Sequence, residues 1–494
     1  MNNTDRPNIL HLFTDQQRFD TIGAVNNPVI RTPNLDRLVS DGVTFTSAYS
    51  PCPVCIAARC SMHYGQYPAS TDCLENTPMP TDDRQSFVGA LTEADYRTHS
   101  IGKRHFMPDR NAGRGFETIE SQEEGIPSPD KDDYVKWLFD QGYSHIVDPH
   151  GMRGEMYYIP QPAQMPAELH PTQWIGNRSV AFIEEQAGNE QPWMLFSSYI
   201  HPHPPFSPPA PWYKLYRAPH MPEPRMPRDI EAQWSFINRH QNRYKYRDQG
   251  IDYNLLRNQK AFYYACISFV DYQVGRILDA LEKTGQLDNT LIIYTADHGE
   301  YMGDYHCFGK RGVHDSCMRI PMITRLPGRL AGGQRCDTPV SLVDIAPTAL
   351  AAAGTNIGTH ELDGVDLAEV AADNVDRDAV FSHYERFDRA IVTAITRDYK
   401  YARSQGDGKD FLYDRRTDPL ELRNCAYQPF REKDAEAVAE LAKDSIRGTA
   451  FGERTLSGDT WRDCELYELP PDPDAGLLIQ DPRWADTFLP GYSE

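Results

Sequence analysis

Two short apolar runs constrain the fold of this chain more than any other feature of its sequence. Residues 8–14 (NILHLFT) and 290–295 (TLIIYT) are rich in β-favouring side chains and have the length of buried strands. The polar residues that follow them are Asp15 and Gln16 in the first case and Asp297 and His298 in the second. Ligands of open α/β sheets bind outside the carboxyl ends of strands, so Asp15, Asp297 and His298 are candidate metal ligands. Asp15 by itself is equally explained as a cap of the segment that follows.

Two further predicted strands end at basic or imidazole side chains. Residues 96–101 lead into Gly102-Lys103-Arg104-His105, and residues 193–200 lead into His201-Pro202-His203-Pro204. The prolines fix the backbone around His203, which favours a stiffly held side chain. Lys310 comes shortly after the second strand-end pair. Because carboxylates, imidazoles and two lysines would share one edge of one sheet, we predict the functional site there.

Helical segments alternate with these strands. The clearest is 260–281, which has apolar residues at i, i+3, i+4 and i+7 spacing. The other predicted helices lie at residues 32–42, 89–94, 173–186 and 342–350. This order predicts an α/β fold with a large mixed, mostly parallel sheet flanked by helices.

The pattern changes near residue 375. Short alternating strands are predicted at 379–383, 390–396 and 411–413, followed by a helix at 431–444. We therefore predict a catalytic α/β domain at residues 1–375 and a smaller C-terminal α+β subdomain with an extended tail at residues 376–494. The Pro-rich tail from Cys464 would wrap its own domain or reach a neighbouring subunit of a homo-oligomer.

Charge and composition limit the partners and the compartment. The formal net charge of −21 argues against nucleic acid or an anionic membrane surface as a partner. The sequence contains neither a basic-then-apolar leader pattern nor an apolar run of about 20 residues, so we predict a cytoplasmic protein. Ten cysteines scattered through 494 residues do not form a disulfide framework and fit reduced thiols.

The segment 51–68 (PCPVCIAARCSMHYGQYP) concentrates reactive side chains. It contains the spacing Cys55-x-Ala57-x-Arg59, and Gly65 and Pro68 close it. Cys52 and Cys55 also form a C-x-x-C pair, which is typical of a redox pair or of half a zinc site. The sequence has no second C-x-x-C pair and no thioredoxin-like unit around this one, which disfavours that interpretation.

Taken in order, the motifs resemble those of the type I, formylglycine-dependent sulfatases, a family of the alkaline phosphatase superfamily. The matching features are the strand ending at Asp15-Gln16, Cys55-x-Ala57-x-Arg59 with Gly65, Gly102-Lys103-x-His105, Pro202-His203-Pro204, Ala296-Asp297-His298-Gly299-Glu300 and Gly309-Lys310. Each motif alone is weak evidence for this family, but six motifs in the expected order over most of the chain are a specific indication of it. The resemblance implies an alkaline phosphatase-like sheet and places the stretch YKYARSQGDGKDFLYDRRTDPLELRN in the C-terminal subdomain of that family.

The resemblance also implies a nucleophile and a metal. A separate maturation enzyme would oxidise Cys55 to formylglycine, and the hydrated aldehyde would attack the sulfur of a sulfate ester. One divalent metal would be held by Asp15, Gln16, Asp297, His298 and residue 55. Oxygen ligation favours Ca²⁺, with Mg²⁺ and Mn²⁺ as alternatives. The family frequently has a second acid at the position of Gln16 and a proline at that of Ala57, and the latter departure bears on conversion of Cys55.

The remaining motif residues have implied roles around the transferred group. Arg59 would support the formylglycine and the nearby acids, and Lys103 and Lys310 would neutralise the sulfuryl oxygens. His203 would protonate the leaving oxygen and His105 would trigger collapse of the hemiacetal, although the two roles can be exchanged.

The implied activity is hydrolysis of a sulfate monoester on a small molecule or a saccharide. The alternative is a phosphonate monoester or phosphodiester hydrolase, which resembles the same family and uses the same formylglycine. The Lys103 and His105 pair is the feature found in sulfatases and favours sulfate.

Overall fold

An eight-stranded mixed sheet forms the centre of the structure, a computed structural model that describes residues 6–110, 112–125, 129–153, 157–245 and 252–470. In chain order, the strands are β1 (Asn8–Asp15), β2 (Val43–Phe45), β3 (Ala48–Tyr49), β4 (Arg97–Gly102), β5 (Thr118–Ser121), β6 (Trp193–Pro202), β7 (Thr290–Ala296), β8 (Met322–Arg325), β9 (Gln334–Cys336), β10 (Val340–Ser341), β11 (Val380–Arg386), β12 (Arg389–Ile395), β13 (Tyr399–Ser404), β14 (Lys409–Asp414), β15 (Leu456–Ser457) and β16 (Thr460–Trp461). The α-helices are α1 (Pro33–Asp41), α2 (Cys55–Tyr64), α3 (Pro68–Thr71), α4 (Phe87–Glu93), α5 (Asp133–Asp140), α6 (Pro171–Glu185), α7 (Phe236–Lys245), α8 (Tyr253–Lys283), α9 (Asp315–Met318), α10 (Ile345–Ala353), α11 (Leu367–Ala371), α12 (Glu432–Asp444) and α13 (Ala450–Thr455).

The strand order of the central sheet is β5-β4-β6-β1-β7-β8-β2-β9. Five adjacent strands, β5, β4, β6, β1 and β7, run parallel to one another. Strand β8 is antiparallel to both of its neighbours, β7 and β2. Thr14 of β1 is in register with Ala296 of β7, and Gly102 of β4 with Ser198 of β6. The carboxyl ends of β4, β6, β1 and β7 therefore meet at one edge, and the predicted α/β class with a mixed, mostly parallel sheet is confirmed.

Helices cover both faces of this sheet. Alternate residues of β1 enter different cores, with Ile9 and Phe13 in one and Leu10 and Leu12 in the other. Helices α2, α4 and α10 supply the first core, and helices α1, α6 and α8 supply the second. All residues of β1 and β7 are buried, which explains why their sequences are almost continuously apolar.

The predicted helices are present with shifted ends. The longest, α8, begins at Tyr253 rather than at residue 260, because the Asp252 side chain caps it by accepting hydrogen bonds from the backbone N–H groups of Asn254 and Leu255. The first two turns, residues 253–259, precede the apolar periodicity that predicted the helix.

A four-stranded antiparallel sheet, β11-β12-β13-β14, follows the central sheet in sequence, and α12 packs against it. Strand β13 was not predicted, because its charged residues disguise a buried strand. One of them, Lys400, is buried by ion pairs with Asp315 and Glu421. The boundary near residue 375 stays a prediction, and the tail beyond residue 470 lies outside the described residues.

Two further observations concern the compartment and the thiols. Among the described residues, no helix combines the length and the apolar character that crossing a bilayer requires. All ten cysteines fall within the described ranges, and each is a free thiol there. The predicted cytoplasmic location stays a prediction.

Candidate active site

The segment with the Cys-x-Ala-x-Arg spacing forms helix α2, and Cys55 is its first residue. Every residue of α2 is buried, and the helix ends at Gly65, whose φ of 65° lies in the left-handed region that glycine adopts without strain. Residues four apart lie on the same side of a helix, so Arg59 follows Cys55 toward the sheet edge. The sequence did not reveal this helix, because a fully buried helix lacks a polar face.

Arg59 joins the ends of two strands. Its Nε donates to Asp297 Oδ2 at 3.0 Å, and its second terminal nitrogen donates to Asp15 Oδ2 at 3.1 Å. The other terminal nitrogen donates to the backbone oxygen of Lys103 at 2.8 Å, and the guanidinium lies over the ring of Phe13. Arg59 is fully buried, so it fixes the positions of both carboxylates rather than forming a surface charge.

The Cys55 thiol lies among cationic, imidazole and acidic groups. Its Sγ is 2.8 Å from Lys310 Nζ, 3.3 Å from His298 Nε2 and 3.8 Å from Asp15 Oδ1. Burial and the Asp15 carboxylate raise the pKa of Cys55 to about 11, although Lys310 opposes them. The unmodified thiol is therefore protonated near neutral pH and is a weak nucleophile.

One ligand atom from each of Asp15, Cys55, Asp297 and His298 lies within 4.8 Å of the others, and all four residues are buried. The Nδ1 atom of His298 contacts the backbone oxygen of Gly299 at 3.0 Å, which leaves Nε2 facing the cluster. Burial and the nearby Asp15 raise the pKa of Asp297. Burial alone would also raise the pKa of Asp15, but Lys103 and its other cationic neighbours hold it well below its usual range. Two clustered carboxylates beside an imidazole fit a divalent cation.

Gln16 turns into this cluster with a strained backbone. Its φ is 65°, which is unusual for a residue other than glycine, and its backbone N–H donates to Asp297 Oδ1 at 2.9 Å. Its Nε2 donates to Glu300, and its Oε1 accepts from Lys310 Nζ at 3.0 Å. A carboxylate can only accept hydrogen bonds, so Glu300 binds the NH₂ group of Gln16. The amide oxygen of Gln16 therefore faces the site. This orienting role of Glu300 was not predicted.

Lys103 bridges two carboxylates at the end of β4. Its Nζ lies 2.6 Å from Asp15 Oδ2 and 2.6 Å from Glu124 Oε1. Burial opposes the charged form, but these two carboxylates raise the pKa of Lys103. The preceding residue must be glycine, because a Cβ on Gly102 would lie 2.0 Å from the backbone oxygen of Ser198.

His105 and His203 face the same carboxylate. Their Nδ1 atoms lie 3.7 Å and 3.4 Å from Glu124 oxygens, respectively. His203 Nδ1 also contacts the backbone oxygen of Pro204 at 2.7 Å. Burial lowers the pKa of both imidazoles well below the ordinary value, although Glu124 opposes this.

Three residues of this region were missed by the sequence analysis, namely Glu123, Glu124 and Arg153. Glu123 Oε1 accepts the backbone N–H of Arg104 and of His105 at 2.8 and 2.9 Å, which holds His105 at a φ of 56°. The only sequence signal of Glu123 and Glu124 is that they form an acidic pair after a short strand, in a region where Gly, Pro and acidic residues obscure the pattern.

Two neighbouring groups take no part in the cluster. The His201 ring contacts the Thr172 and Ser207 hydroxyls at 3.2 and 3.3 Å. The Cys52 thiol donates to the backbone oxygen of Leu74 at 3.6 Å. All the predicted site residues thus form one connected cluster, and what each of them does stays a prediction.

Comparison with protein families identifies the family of the chain. The model of the family described as Sulfatase matches residues 7–355, which include every residue of the cluster. The chain belongs to the sulfatase family. A second model, described as N-sulphoglucosamine sulphohydrolase, C-terminal, matches residues 303–447. The predicted family is thereby confirmed, and so is the class of enzyme, a sulfuric ester hydrolase of the alkaline phosphatase superfamily.

Individual relatives match along nearly their whole lengths. The arylsulfatase of Clostridium perfringens is 30% identical, and the match covers 92% of this chain and 98% of that protein. The multifunctional alkaline phosphatase superfamily protein PehA of Trinickia caryophylli is 28% identical, with 92% and 95% covered. The solved structure of a phosphonate monoester hydrolase from Silicibacter pomeroyi superposes with a TM-score of 0.77 at 24% identity, covering 94% of this chain and all of that one, and it shows the shared fold.

Proposed function

We propose that this sulfatase hydrolyses a sulfate monoester through residue 55 in the form of formylglycine. The observation that carries the proposal is the position of Cys55 at the start of α2, in contact with Lys310 and His298 and beside two buried carboxylates. A sulfuryl group bonded to residue 55 would lie among cations that stabilise its negative charge. The buried thiol itself is poorly suited to attack, whereas one hydroxyl of a hydrated aldehyde can attack the sulfur.

Asp15, Gln16, Asp297 and His298 would hold one divalent cation together with residue 55. Their donor set is rich in oxygen, which favours Ca²⁺ and admits Mg²⁺ or Mn²⁺. When bound, such a cation supplies Lewis-acid polarisation of the sulfuryl oxygens and favours the ionised form of a neighbouring hydroxyl. Arg59 keeps the two aspartates in place through its two ion pairs.

The other residues act on the charges and protons of the reaction. As the S–O bond to the alcohol breaks, His203 would donate a proton to the leaving oxygen, and Lys103 and Lys310 would neutralise the sulfuryl group. His105 would then remove the proton of the second hydroxyl of residue 55, so that the aldehyde reforms and sulfate leaves. The two histidines can exchange these roles. A bound anion raises the pKa of both imidazoles, which counters the effect of burial.

A second candidate activity is hydrolysis of phosphonate monoesters or phosphodiesters with the same residues. It is favoured by the candidate metal set, which consists of Asp15, residue 55, Asp297 and His298. Comparing kcat/KM for an aryl sulfate and the matching aryl phosphonate monoester decides between the two. The sulfate is expected to be the better substrate, and a much higher kcat/KM for the phosphonate would refute the proposal.

Two further experiments address conversion and substrate. Mass spectrometry of the peptide containing residue 55, from protein made with the native maturation enzyme, is expected to show formylglycine, and finding only the thiol would contradict it. The substrate class proposed here is a sulfated small molecule or saccharide, in line with the arylsulfatase relative. A screen of sulfated aryl, alkyl and sugar compounds would identify the substrate.

Lys310→Ala is expected to lower kcat by about 10²–10³-fold, because it removes an ammonium group that contacts residue 55 and stabilises developing charge. Steady-state kinetics on the aryl sulfate measure the effect. The matched control is Lys214→Ala, which removes an exposed lysine and should leave kcat unchanged. Near-normal kcat in Lys310→Ala would remove this residue from the mechanism.

Removing divalent cations with a chelator is expected to abolish turnover and to lower the melting temperature, because Asp15 and Asp297 then repel each other in a buried site. Adding Ca²⁺, Mg²⁺ or Mn²⁺ separately should restore both, and elemental analysis identifies the native ion. Full activity in metal-free protein would contradict the proposed site.

A further inference from the structure

Glu124 has the surroundings of a bound anion. Its Oε1 lies 2.6 Å from Lys103 Nζ and 3.7 Å from His105 Nδ1, and its Oε2 lies 2.9 Å from Arg153 and 3.4 Å from His203 Nδ1. The side chain is only 9% exposed. Four basic groups therefore surround one buried carboxylate. Burial alone would raise the pKa of Glu124, but these neighbours hold it well below the usual range.

This carboxylate also lies at the reaction centre. One of its oxygens, Cys55 Sγ and a ring nitrogen of His203 all lie within 4.8 Å of one another. Three of its basic neighbours, Lys103, His105 and His203, are the groups proposed above to act on the sulfuryl group and on the leaving oxygen. A substrate that uses these groups must replace the Glu124 carboxylate as their partner or share them with it.

We propose that Glu124 is a specificity residue that disfavours doubly charged anions in the sulfuryl-binding site. This inference rests on the proposed function, because it requires that the sulfuryl group bind beside residue 55. The repulsion from a fixed negative charge grows with the charge of the ligand. A sulfate monoester carries one negative charge, whereas inorganic sulfate and a phosphate monoester near neutral pH carry about two.

Arg153 holds Glu124 in place through an ion pair that is separate from the groups proposed to bind the sulfuryl group. Arg153 approaches Glu124 Oε2, is itself 35% exposed and lies over the ring of Tyr157. When the ligand takes over Lys103 and the histidines, Glu124 keeps this outer ion pair and stays next to the bound group. It thereby favours release of the doubly charged product and rejects phosphate monoesters.

The test compares the full-length, formylglycine-containing enzyme with its Glu124→Gln variant, which keeps the shape of the side chain and removes its charge. Titration calorimetry gives the Kd of inorganic sulfate, and steady-state kinetics give KM for an aryl sulfate. We expect the Kd of sulfate to fall about tenfold or more and KM for the singly charged ester to fall only about threefold. The reason is that the electrostatic free energy, and with it the logarithm of each constant, changes in proportion to the charge of the ligand. Glu190→Gln, a change at an exposed glutamate, controls for the altered net charge and should change neither constant.

An unchanged Kd for sulfate, or equal changes in both constants, would overturn the inference. A higher KM together with a lower kcat at unchanged sulfate affinity would also overturn it and would make Glu124 a positioning residue for Lys103 and His203. If Glu124→Gln does not fold, Glu124→Asp, whose carboxylate is one methylene shorter, should shift both constants in the same direction by less. Calorimetry does not depend on turnover, so tighter sulfate binding in an enzyme that hydrolyses no aryl sulfate would refute the proposed hydrolysis but would still support the effect of Glu124 on the binding of a doubly charged anion.

Discussion

Cys55→Ala is expected to abolish hydrolysis of an aryl sulfate, with a loss in kcat on the order of 10⁴-fold or more. The variant has no side chain that can be converted to formylglycine, so the proposed nucleophile is missing while the cations around it remain. Only one sulfur atom is removed from a buried position, and the fold should survive. Kinetics and a thermal melt of the same preparation measure the two effects.

The neighbouring cysteine provides a sharp control. Cys52→Ala removes a thiol three residues away that is equally buried and that donates to a backbone oxygen. If residue 55 acts alone as the nucleophile, the Cys52 variant keeps near-normal kcat. Equal loss of activity in both variants would instead support the redox or metal-binding C-x-x-C interpretation.

Arg59→Gln is expected to lower the free energy of unfolding by about 3–5 kcal/mol and to remove activity as well, because it leaves two buried carboxylates without their shared cation. Denaturant unfolding measures the first effect, and kinetics on the aryl sulfate measure the second. Arg59→Lys keeps the charge but not the planar fork that reaches both acids, so an intermediate loss is expected.

The control for Arg59 is a surface arginine in an ion pair. Arg37 is 35% exposed and pairs with Glu282 at 3.0 Å, and such exposed pairs contribute about 0–1 kcal/mol. Arg37→Gln should therefore leave both stability and turnover almost unchanged. Wild-type stability in Arg59→Gln would show that the two aspartates do not depend on this guanidinium.

Strands β1, β4, β6 and β7 were the predictable part of the central sheet, whereas its other four strands were not predicted. Strands β1 and β7 are buried on both faces, so their apolar runs leave little choice of structure. Strand β13 was harder, because Lys400 is buried only by virtue of acids that come from distant parts of the chain. Helix α2 was harder still, since a helix buried on every side shows no amphipathic pattern.

For the candidate site, the sequence by itself determined which side chains stand at strand ends and therefore share one edge of the sheet. Asp15 is the last residue of one buried strand and Asp297 directly follows another, and local periodicity is enough to find them. The helix that carries Cys55 and Arg59 was not predicted, so the sequence alone did not show that these two side chains lie on the same side of it.

Only the tertiary structure decided which of these charged and polar groups pair with each other. It showed that Arg59 holds both aspartates, that Glu300 orients the amide of Gln16, and that Glu124 pairs with Lys103. These contacts join residues from about 20 to more than 280 positions apart in the chain, and no local pattern encodes them. Their strength depends on burial, which removes the screening that water would provide, and burial is a property of the whole fold.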